Sequence, residues 1–295
     1  MTTWKDRKRF TDVLGQRMAH VEEGEGAPVV FLHGNPTSSY LWRDVMAAAS
    51  GAGRLIAPDL IGMGDSDKLP HSGPDRYTLA EHARYLDAWM DAVVPDGPVS
   101  LVIHDWGGPL GFRWARLNTG RVRAICYMET IVRPMGADEW PEAIRGIFGG
   151  LRSDAGDAMI LDKNIFVERI LPGSVLRELS AEEMAEYRRP FVNPGEDRRP
   201  TLTWPRQIPI GGEPVESVAI IEDNWQWLQA WDGPKLFMNA EPGAILTGPM
   251  LASARSLSNQ QEMTVDGSHF IQEDSGAMIG SELKDWLSEL TDHEI

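Results

Sequence analysis

Cysteine is almost absent from this chain: Cys126 is the one cysteine among 295 residues, so no intrachain disulfide can form. It lies in an apolar segment, where we expect a small buried thiol. Long apolar runs are lacking as well, and none approaches the roughly 18 residues that a membrane-spanning helix needs. The N-terminal residues carry no apolar segment of the kind found in secretory signals. These absences predict a soluble, cytoplasmic protein.

Basic residues are few relative to acidic ones. The chain has 28 lysines and arginines against 44 aspartates and glutamates, which gives a net charge of −16. Such a charge repels nucleic-acid phosphates and anionic lipid headgroups, so we expect no nucleic-acid or membrane partner. Hydrophobic residues make up 42% of the chain, enough for a sizeable core. The composition does not distinguish a monomer from a homo-oligomer.

Two common functional motifs are missing. A serine nucleophile on a strand-to-helix turn needs the pattern Gly-x-Ser-x-Gly, but Ile103-His104-Asp105-Trp106-Gly107 has aspartate in the serine position and isoleucine in place of the first glycine. Gly62-Met63-Gly64 lacks the third glycine and the lysine that phosphate-binding loops use. We therefore expect no serine nucleophile at the first segment and a purely structural loop at the second.

What the chain does have is an alternation of short β-like runs with helical patterns. The runs lie at residues 18–21, 28–32, 54–57, 99–103, 124–128, 235–238 and 263–265. A capping box at Thr78-Leu79-Ala80-Glu81 begins the clearest helix. The alternation predicts an α/β fold, with a mostly parallel central sheet flanked by helices. Residues 18–32 could add an antiparallel hairpin at its edge.

The alternation lapses between residues 133 and 212. This stretch is rich in proline, arginine, glutamate and aromatic residues, and it has helical patterns without a convincing strand. Strand-like residues resume at Lys235. The sequence therefore predicts a core built from residues 1–132 and 213–295, with residues 133–212 inserted as a helical cap.

Polar residues follow several of the predicted strands. They are His33-Gly34-Asn35, Asp105-Trp106, Glu129, Asn239-Ala240-Glu241 and Ser268-His269. Ligands of open α/β sheets bind beyond the carboxyl ends of the strands, so we expect these side chains around one site. Taken alone, Asp105 has two interpretations: a carboxylate displayed by a sharp turn, or the N-cap of the helix that begins near Gly107.

The segments at these strand ends resemble the haloalkane dehalogenases, which have the α/β-hydrolase fold. The similarity runs over nearly the whole chain and is carried by His33-Gly34-Asn35-Pro36, Asp59-Leu60-Ile61-Gly62-Met63-Gly64, His104-Asp105-Trp106-Gly107, Asn239-Ala240-Glu241-Pro242-Gly243 and His269-Phe270-Ile271-Gln272-Glu273-Asp274. The resemblance implies that Asp105 is the nucleophile and His269 the general base, and that Asn35 and Trp106 bind the halide. It also implies that Glu129 completes the triad, as in one subgroup of the family.

Glu241 competes with Glu129 for the third position of the triad, because many α/β-hydrolases place the acid after the strand that precedes the histidine. Asn239, where an aspartate would then be expected, argues against that arrangement. Glu129 follows an apolar run, where a carboxylate is costly unless it is paired. We therefore favour Glu129.

The implied reaction suits these residue types. A carboxylate is ionised at neutral pH and can displace a halide from an sp³ carbon, which leaves an alkyl ester on the enzyme. An indole N–H and a side-chain amide can hold the departing halide, and water activated by a histidine can hydrolyse the ester. The implied substrate is a small halogenated aliphatic compound. The products are a primary or secondary alcohol, a halide ion and a proton, and the chemistry needs no metal or organic cofactor.

By the same resemblance, a set of apolar side chains lines the substrate pocket. They are Phe148, Phe166, Trp204, Pro205, Ile208 and Ile245. The alternative is that these residues only pack within the cap.

Three other functions stay open. An epoxide hydrolase also uses an aspartate nucleophile, but it polarises the epoxide with a pair of cap tyrosines, and Tyr187 is the single tyrosine between residues 133 and 212. A coelenterazine-type luciferase shares the Asn, Asp-Trp, Glu and His pattern on the same fold. A ligand-binding receptor could keep the fold without the activity.

Overall fold

The computed structural model describes residues 3–139 and 142–290 of the chain. The strands within these residues are β1 (Arg9–Val13), β2 (Gln16–Glu23), β3 (Pro28–Leu32), β4 (Arg54–Pro58), β5 (Val99–Asp105), β6 (Val122–Thr130), β7 (Lys235–Pro242) and β8 (Gln260–Gly267). They form one sheet in the order β1-β2-β4-β3-β5-β6-β7-β8. Strands β3 to β8 run parallel to one another, whereas β2 is antiparallel to both β1 and β4.

Helices cover both faces of this sheet. The helices among the described residues are α1 (Arg43–Ala48), α2 (Leu79–Val93), α3 (Gly107–Leu117), α4 (Glu142–Arg152), α5 (Ala155–Asp157), α6 (Ala181–Arg188), α7 (Arg199–Gln207), α8 (Val215–Ala230), α9 (Gly248–Arg255) and α10 (Ile271–Glu289), of which α4 to α7 lie within residues 133–212. On one face α1 packs against α10, and on the other α3 packs against α2 and α8.

Strand β3 shows how the sequence specifies a sheet that is buried on both sides. Val29 and Phe31 belong to the apolar cluster under α1 and α10, whereas Val30 and Leu32 belong to the cluster under α2 and α3. Successive side chains of a strand point to opposite faces, so a strand with both faces covered must be apolar at every position. The predicted α/β fold with a mostly parallel central sheet is confirmed.

The hairpin predicted within residues 18–32 is wrong. Strand β2 forms its hairpin with β1, with Val13 opposite Gln16, and β3 lies between β4 and β5. Leu14 and Gly15 connect the two strands, and both have positive φ angles, +50° and +80°. Two such residues give the twist that favours a tight hairpin, whereas the longer connection from β2 leads into a parallel strand farther into the sheet.

Helix α2 begins with half of the predicted capping box. The Thr78 hydroxyl accepts a 3.2 Å hydrogen bond from the N–H of Glu81. The Glu81 carboxylate accepts from the N–H of Tyr77 rather than from that of Thr78, and it also pairs with Arg76. The helix start is therefore where the sequence predicts it, with the reciprocal bond displaced by one residue.

The described part of residues 133–212 contributes helices and no strand to the sheet; residues 140 and 141 lie outside the described residues. Its two ends meet, because the N–H of Met135 donates to Pro209 and the N–H of Gly211 donates to Met135. The next strand, β7, pairs with β6 and so continues the sheet across the insertion. In residues 3–139 and 142–290, no helix combines the length and apolar character required to cross a bilayer.

Candidate active site

Asp105 occupies a sharp turn between β5 and α3. Its φ angle is +49°, in the left-handed region that residues other than glycine seldom adopt. The Thr130 hydroxyl donates a 2.6 Å hydrogen bond to the Asp105 carbonyl oxygen. A Cβ on Gly107 would lie 2.0 Å from the carbonyl oxygen of Leu32, and one on Gly34 would lie 2.3 Å from Oδ2 of Asp105. Glycines are therefore needed on both sides of the carboxylate.

The Asp105 carboxylate is buried, and the interpretation as a helix cap is wrong. Trp106 is the N-cap residue of α3, and Oδ2 of Asp105 accepts a 2.7 Å hydrogen bond from the N–H of Asn35. Burial raises the pKa of Asp105, although the charge of His269 and the backbone N–H groups of Asn35 and Trp106 oppose the rise. Asp105 is thus a poorly hydrated carboxylate and a stronger base than a carboxylate in water.

Glu129 lies near the end of β6, and its carboxylate is fully buried. Three consecutive backbone N–H groups compensate for its lost hydration: Ala244 and Ile245 donate to Oε2 at 3.0 and 2.8 Å, and Leu246 donates to Oε1 at 3.2 Å. Nδ1 of His269 is 3.4 Å from Oε2. The carboxylate therefore faces the imidazole from a fixed position.

His269 lies between the two carboxylates. Its Nε2 is 3.7 Å from Oδ1 of Asp105, while its Nδ1 points to Glu129. Burial works to lower the pKa of His269, but the hydrogen bond to Glu129 and the charges of Asp105 and Glu129 outweigh it, so the pKa is raised. A proton on Nδ1 leaves the Nε2 lone pair directed towards Asp105, as a general base requires.

Two neutral hydrogen-bond donors lie beside the same carboxylate. Trp106 and Asn35 both line the cavity that Asp105 enters. The Asn35 amide donates one hydrogen bond to the carbonyl of Thr201 at 3.3 Å, and an amide nitrogen carries a second hydrogen. The Trp106 indole stacks on Trp204, with ring centroids 4.5 Å apart and an angle of 22° between the ring planes. Thr201 and Trp204 therefore hold the Asn35 amide and the Trp106 indole in position.

The cavity has a volume of about 720 Å³, including the space at its open mouth, and its wall is mostly apolar. Its lining combines the polar and indole groups described above with side chains from both the sheet edge and residues 133–212. The lining residues are Asn35, Asp105, Trp106, Ile131, Met135, Phe148, Phe166, Ile170, Ser174, Pro205, Ile208, Ala244, Ile245 and His269.

Comparison with known proteins gives consistent results for sequence and structure. The family model of the α/β-hydrolase fold matches residues 27–276. A haloalkane dehalogenase of Sphingobium indicum is 54% identical over 283 residues, which cover 96% of each chain. The chain belongs to the haloalkane dehalogenase family.

Two further relatives show how far the similarity extends. The crystal structure of the haloalkane dehalogenase DbeA from Bradyrhizobium elkani superposes with a TM-score of 0.91 at 40% identity, covering 96% of this chain and 98% of that one. A coelenterazine h 2-monooxygenase of Renilla reniformis is 38% identical and covers 99% of this chain and 94% of its own. The shared fold therefore occurs with more than one chemistry.

The structure brings together the five residues that the resemblance to haloalkane dehalogenases singled out. Asp105, His269, Asn35 and Trp106 line one cavity, and Glu129 contacts His269 from behind. Glu241, the competing acid, is exposed and makes no hydrogen bond or ion pair with His269 in the described part of the chain. No three His, Cys, Asp or Glu side chains among the described residues are grouped so that they could hold a metal ion.

The predicted pocket residues differ in their positions. Phe148, Phe166, Pro205, Ile208 and Ile245 line the cavity. Trp204 does not, which corrects that expectation: it is fully buried between Trp106 and His82, and stacks on His82 with ring centroids 4.2 Å apart. The large indole thus serves as packing behind a lining residue.

Sequence reasoning missed some of the lining residues of this dehalogenase-like cavity. They are Ile131, Met135, Ile170, Ser174 and Ala244. Ile131 comes two residues after Glu129 and Ala244 follows the end of β7, so the strand-end rule could have found these two. Nothing in the sequence pattern marks the other three.

Proposed function

We propose that this protein hydrolyses small halogenated alkanes to a primary or secondary alcohol, a halide ion and a proton. The observation that carries the proposal is the buried Asp105 carboxylate, which opens into an apolar cavity with Trp106 and Asn35 beside it and Nε2 of His269 within 3.7 Å. An apolar cavity suits a haloalkane, and a carboxylate needs no base to attack it.

In the first step, an oxygen of Asp105 attacks the carbon that bears the halogen. The carbon–halogen bond breaks, its electron pair leaves with the halide, and an alkyl ester forms on Asp105. The indole N–H of Trp106 and the amide of Asn35 stabilise the charge that develops on the halide. Because both donors are neutral, they release the ion more readily than a cationic side chain would.

In the second step, a water oxygen attacks the carbonyl carbon of the ester while Nε2 of His269 takes the water proton. Glu129 stabilises the resulting imidazolium, and the backbone N–H of Asn35 faces the oxyanion. The bond to the alkoxy oxygen then breaks, and this oxygen takes the proton from the imidazolium. The alcohol leaves, and Asp105 loses its remaining proton to water.

We also infer that residues 133–212 act as a cap domain over a core of residues 1–132 and 213–295. Phe148, Phe166 and Pro205 come from the inserted residues, whereas Asp105 and His269 come from the core, and all five line one cavity. Closing a site between two such parts excludes bulk water from the charged intermediates.

The variant His269→Phe tests this function. Without a general base, the ester on Asp105 should persist, so incubation with a brominated alkane should give an intact mass raised by one alkyl group in place of one hydrogen. The double variant Asp105→Asn/His269→Phe is the matched control and should stay unmodified. A single variant without adduct, together with a wild type that releases no bromide, would contradict dehalogenation.

Two alternatives have less support. Tyr187, the tyrosine that an epoxide hydrolase would need in the cap, is buried and donates to Glu273 instead of lining the cavity. Oxidation of coelenterazine, the activity in the name of the Renilla relative, shares the fold and is checked by measuring light emission from the same preparation. Bromide release without light assigns the dehalogenase reaction.

A further inference from the structure

The backbone around His269 is joined to the cap. Residues 269–274 carry the imidazole, and they run alongside residues 174–177 of the cap. The carbonyl oxygen of Ser174 accepts hydrogen bonds from the N–H of His269 and from that of Phe270, both at 3.1 Å. The residue proposed as general base therefore depends on the inserted segment for its own backbone hydrogen bond.

Side chains extend this contact. The Asp274 carboxylate accepts hydrogen bonds from the N–H groups of Leu176 and Arg177 at 3.0 and 3.1 Å. Arg177 in turn donates from Nε to the carbonyl oxygen of Glu273 at 2.6 Å. These bonds run in both directions between the segments, so neither can shift along the other without breaking several of them. We call this set of bonds the cap–loop contact.

The other side of His269 is held by the core. Nε2 of His104, the residue before the nucleophile, is 2.8 Å from the carbonyl oxygen of His269. Burial holds the pKa of His104 well below its usual value, so its ring is neutral and donates from Nε2. The two peptide groups of His269 are thus held by different parts of the molecule, one by the cap and one by the strand that carries Asp105.

A buried ion cluster reinforces the cap–loop contact. The side chain of Glu273 is only 1% exposed, and it accepts from Arg43 of the core at 2.7 and 2.6 Å and from Arg177 at 2.5 Å. Tyr187 donates to the same carboxylate, and Glu183 pairs with both arginines. A buried carboxylate with this many donors has a fixed position, because moving it would leave charges unpaired.

We propose that residues 174–177 position His269 for hydrolysis of the ester, with Arg177 as the positioning residue that joins the cap to the imidazole loop. The inference rests on the proposed function. Attack by Asp105 uses groups that are held without residues 174–177: the N–H of Asn35 and the hydroxyl of Thr130, together with halide donors that contact Thr201 and Trp204. Hydrolysis also requires Nε2 of His269 in place, so the contact should affect the second step alone.

The substitution Arg177→Met removes the side-chain hydrogen bonds of residue 177 to Glu273 and Glu183, whereas the backbone hydrogen bonds of residues 174, 176 and 177 remain. Glu273 keeps its two hydrogen bonds to Arg43, so no unpaired charge remains buried. Arg188→Met is the matched control, because Arg188 is also a cap arginine but, among the residues that the structure describes, it pairs only with Glu168 of the cap. Rapid quenching and intact mass then give separate rates for formation and decay of the ester with a brominated alkane.

We expect Arg177→Met to form the ester at a rate within twofold of the wild-type rate. It should hydrolyse the ester about tenfold more slowly, which corresponds to a rise of about 1.4 kcal/mol in the activation free energy. Arg177→Lys should recover part of the hydrolysis rate, since it keeps the charge but not the fork of donors. Arg188→Met should match the wild type in both steps.

Equal rates of ester decay in Arg177→Met and Arg188→Met would overturn the proposal. So would an equal loss in both steps, because a general structural defect slows formation and decay alike. A wild type that forms no ester and releases no bromide would instead refute the proposed function, so the two failures are distinguishable.

Discussion

Asp105 and His269 shift each other's pKa, and formation of the ester removes this coupling. The negative charge of Asp105 helps to raise the pKa of His269, and the positive charge of His269 opposes the rise that burial causes in Asp105. Alkylation consumes the charge of Asp105. The imidazole then loses one of the causes of its raised pKa at the moment when it must accept a proton.

We therefore predict different pH dependences for the free enzyme and the ester. Protonated His269 cannot accept a proton from water, so ester decay slows as the pH falls through the pKa of His269 in the ester. That pKa should lie below the pKa of His269 in the free enzyme, because esterification removes the charge of Asp105. Only the contribution of Glu129 then raises the pKa of the imidazole. NMR titration of the imidazole gives the first value, and the pH profile of ester decay gives the second.

An ester profile with the same or a higher midpoint would contradict this coupling. The variant His269→Phe is the control, since its rate of ester formation should not change over the pH range in which the wild-type decay rate falls.

The sequence predicted the polar part of the site better than its apolar wall. Asp105, Glu129 and His269 lie at or just after the ends of strands. The strand ends of a parallel sheet meet at one edge, so the local pattern indicates their positions. The wall comes largely from the cap, where residues Phe166–Ile170 form a π-helical turn. The ordinary helical period does not apply there, so no periodic pattern marks Ile170, and Phe166 was named from the family resemblance and not from such a pattern.

At the scale of elements, the turn between β5 and α3 depends on the close approach of its backbone to β3. We predict that Gly107→Ala lowers the free energy of unfolding by about 1–3 kcal/mol, because the new Cβ would lie 2.0 Å from the Leu32 carbonyl oxygen and the backbone must move. Gly120→Ala is the control: this glycine is exposed, a Cβ added there would meet no atom within 4 Å, and the change should stay within about 0.5 kcal/mol. Urea denaturation followed by fluorescence measures both, and equal midpoints would contradict the argument.

The edge of the sheet shows why one element escaped prediction. Strand β1 has the sequence Arg9-Phe10-Thr11-Asp12-Val13, of which Val13 alone is buried. An edge strand with one buried side chain shows no apolar run, so the sequence pattern marks β2 as the first strand and favours its pairing with the next run along the chain. The pairing of β2 with β4 is a long-range contact that the local pattern cannot specify.

At the scale of the whole molecule, four histidines of the described residues are buried in neutral form. Burial lowers the pKa of His20 and His33 to about 4 and that of His82 to about 3, and it holds the pKa of His104 well below the usual value. Their contacts agree: Nε2 of His33 accepts from the N–H of Leu60, which a protonated ring could not do. His33 forms hydrogen bonds through both ring nitrogens and His104 through Nε2, whereas neither ring nitrogen of His82 has a partner among the described residues.

Neutral buried histidines make stability depend on pH. In the unfolded chain each of these histidines has its ordinary pKa near 6.5. As the pH falls below this value, the histidines bind protons in the unfolded state but stay unprotonated in the folded state. We predict that the free energy of unfolding falls from about pH 6.5 towards pH 5, and that these four histidines contribute up to four protons to the slope. Asp105 and His269 have raised pKa values, so they take up protons in the folded state first and reduce the slope.

Urea denaturation at closely spaced pH values measures this slope. His82→Phe provides the sharpest check, because neither ring nitrogen of His82 has a hydrogen-bond partner among the described residues and phenylalanine can stack on Trp204 in its place. In this variant the pH dependence of the free energy of unfolding should be smaller by one proton, so acid should destabilise it less than the wild type. A wild-type slope of one proton or less would mean that these histidines are hydrated or paired in the folded protein, and the acid sensitivity would then have to come from the carboxylates, at lower pH.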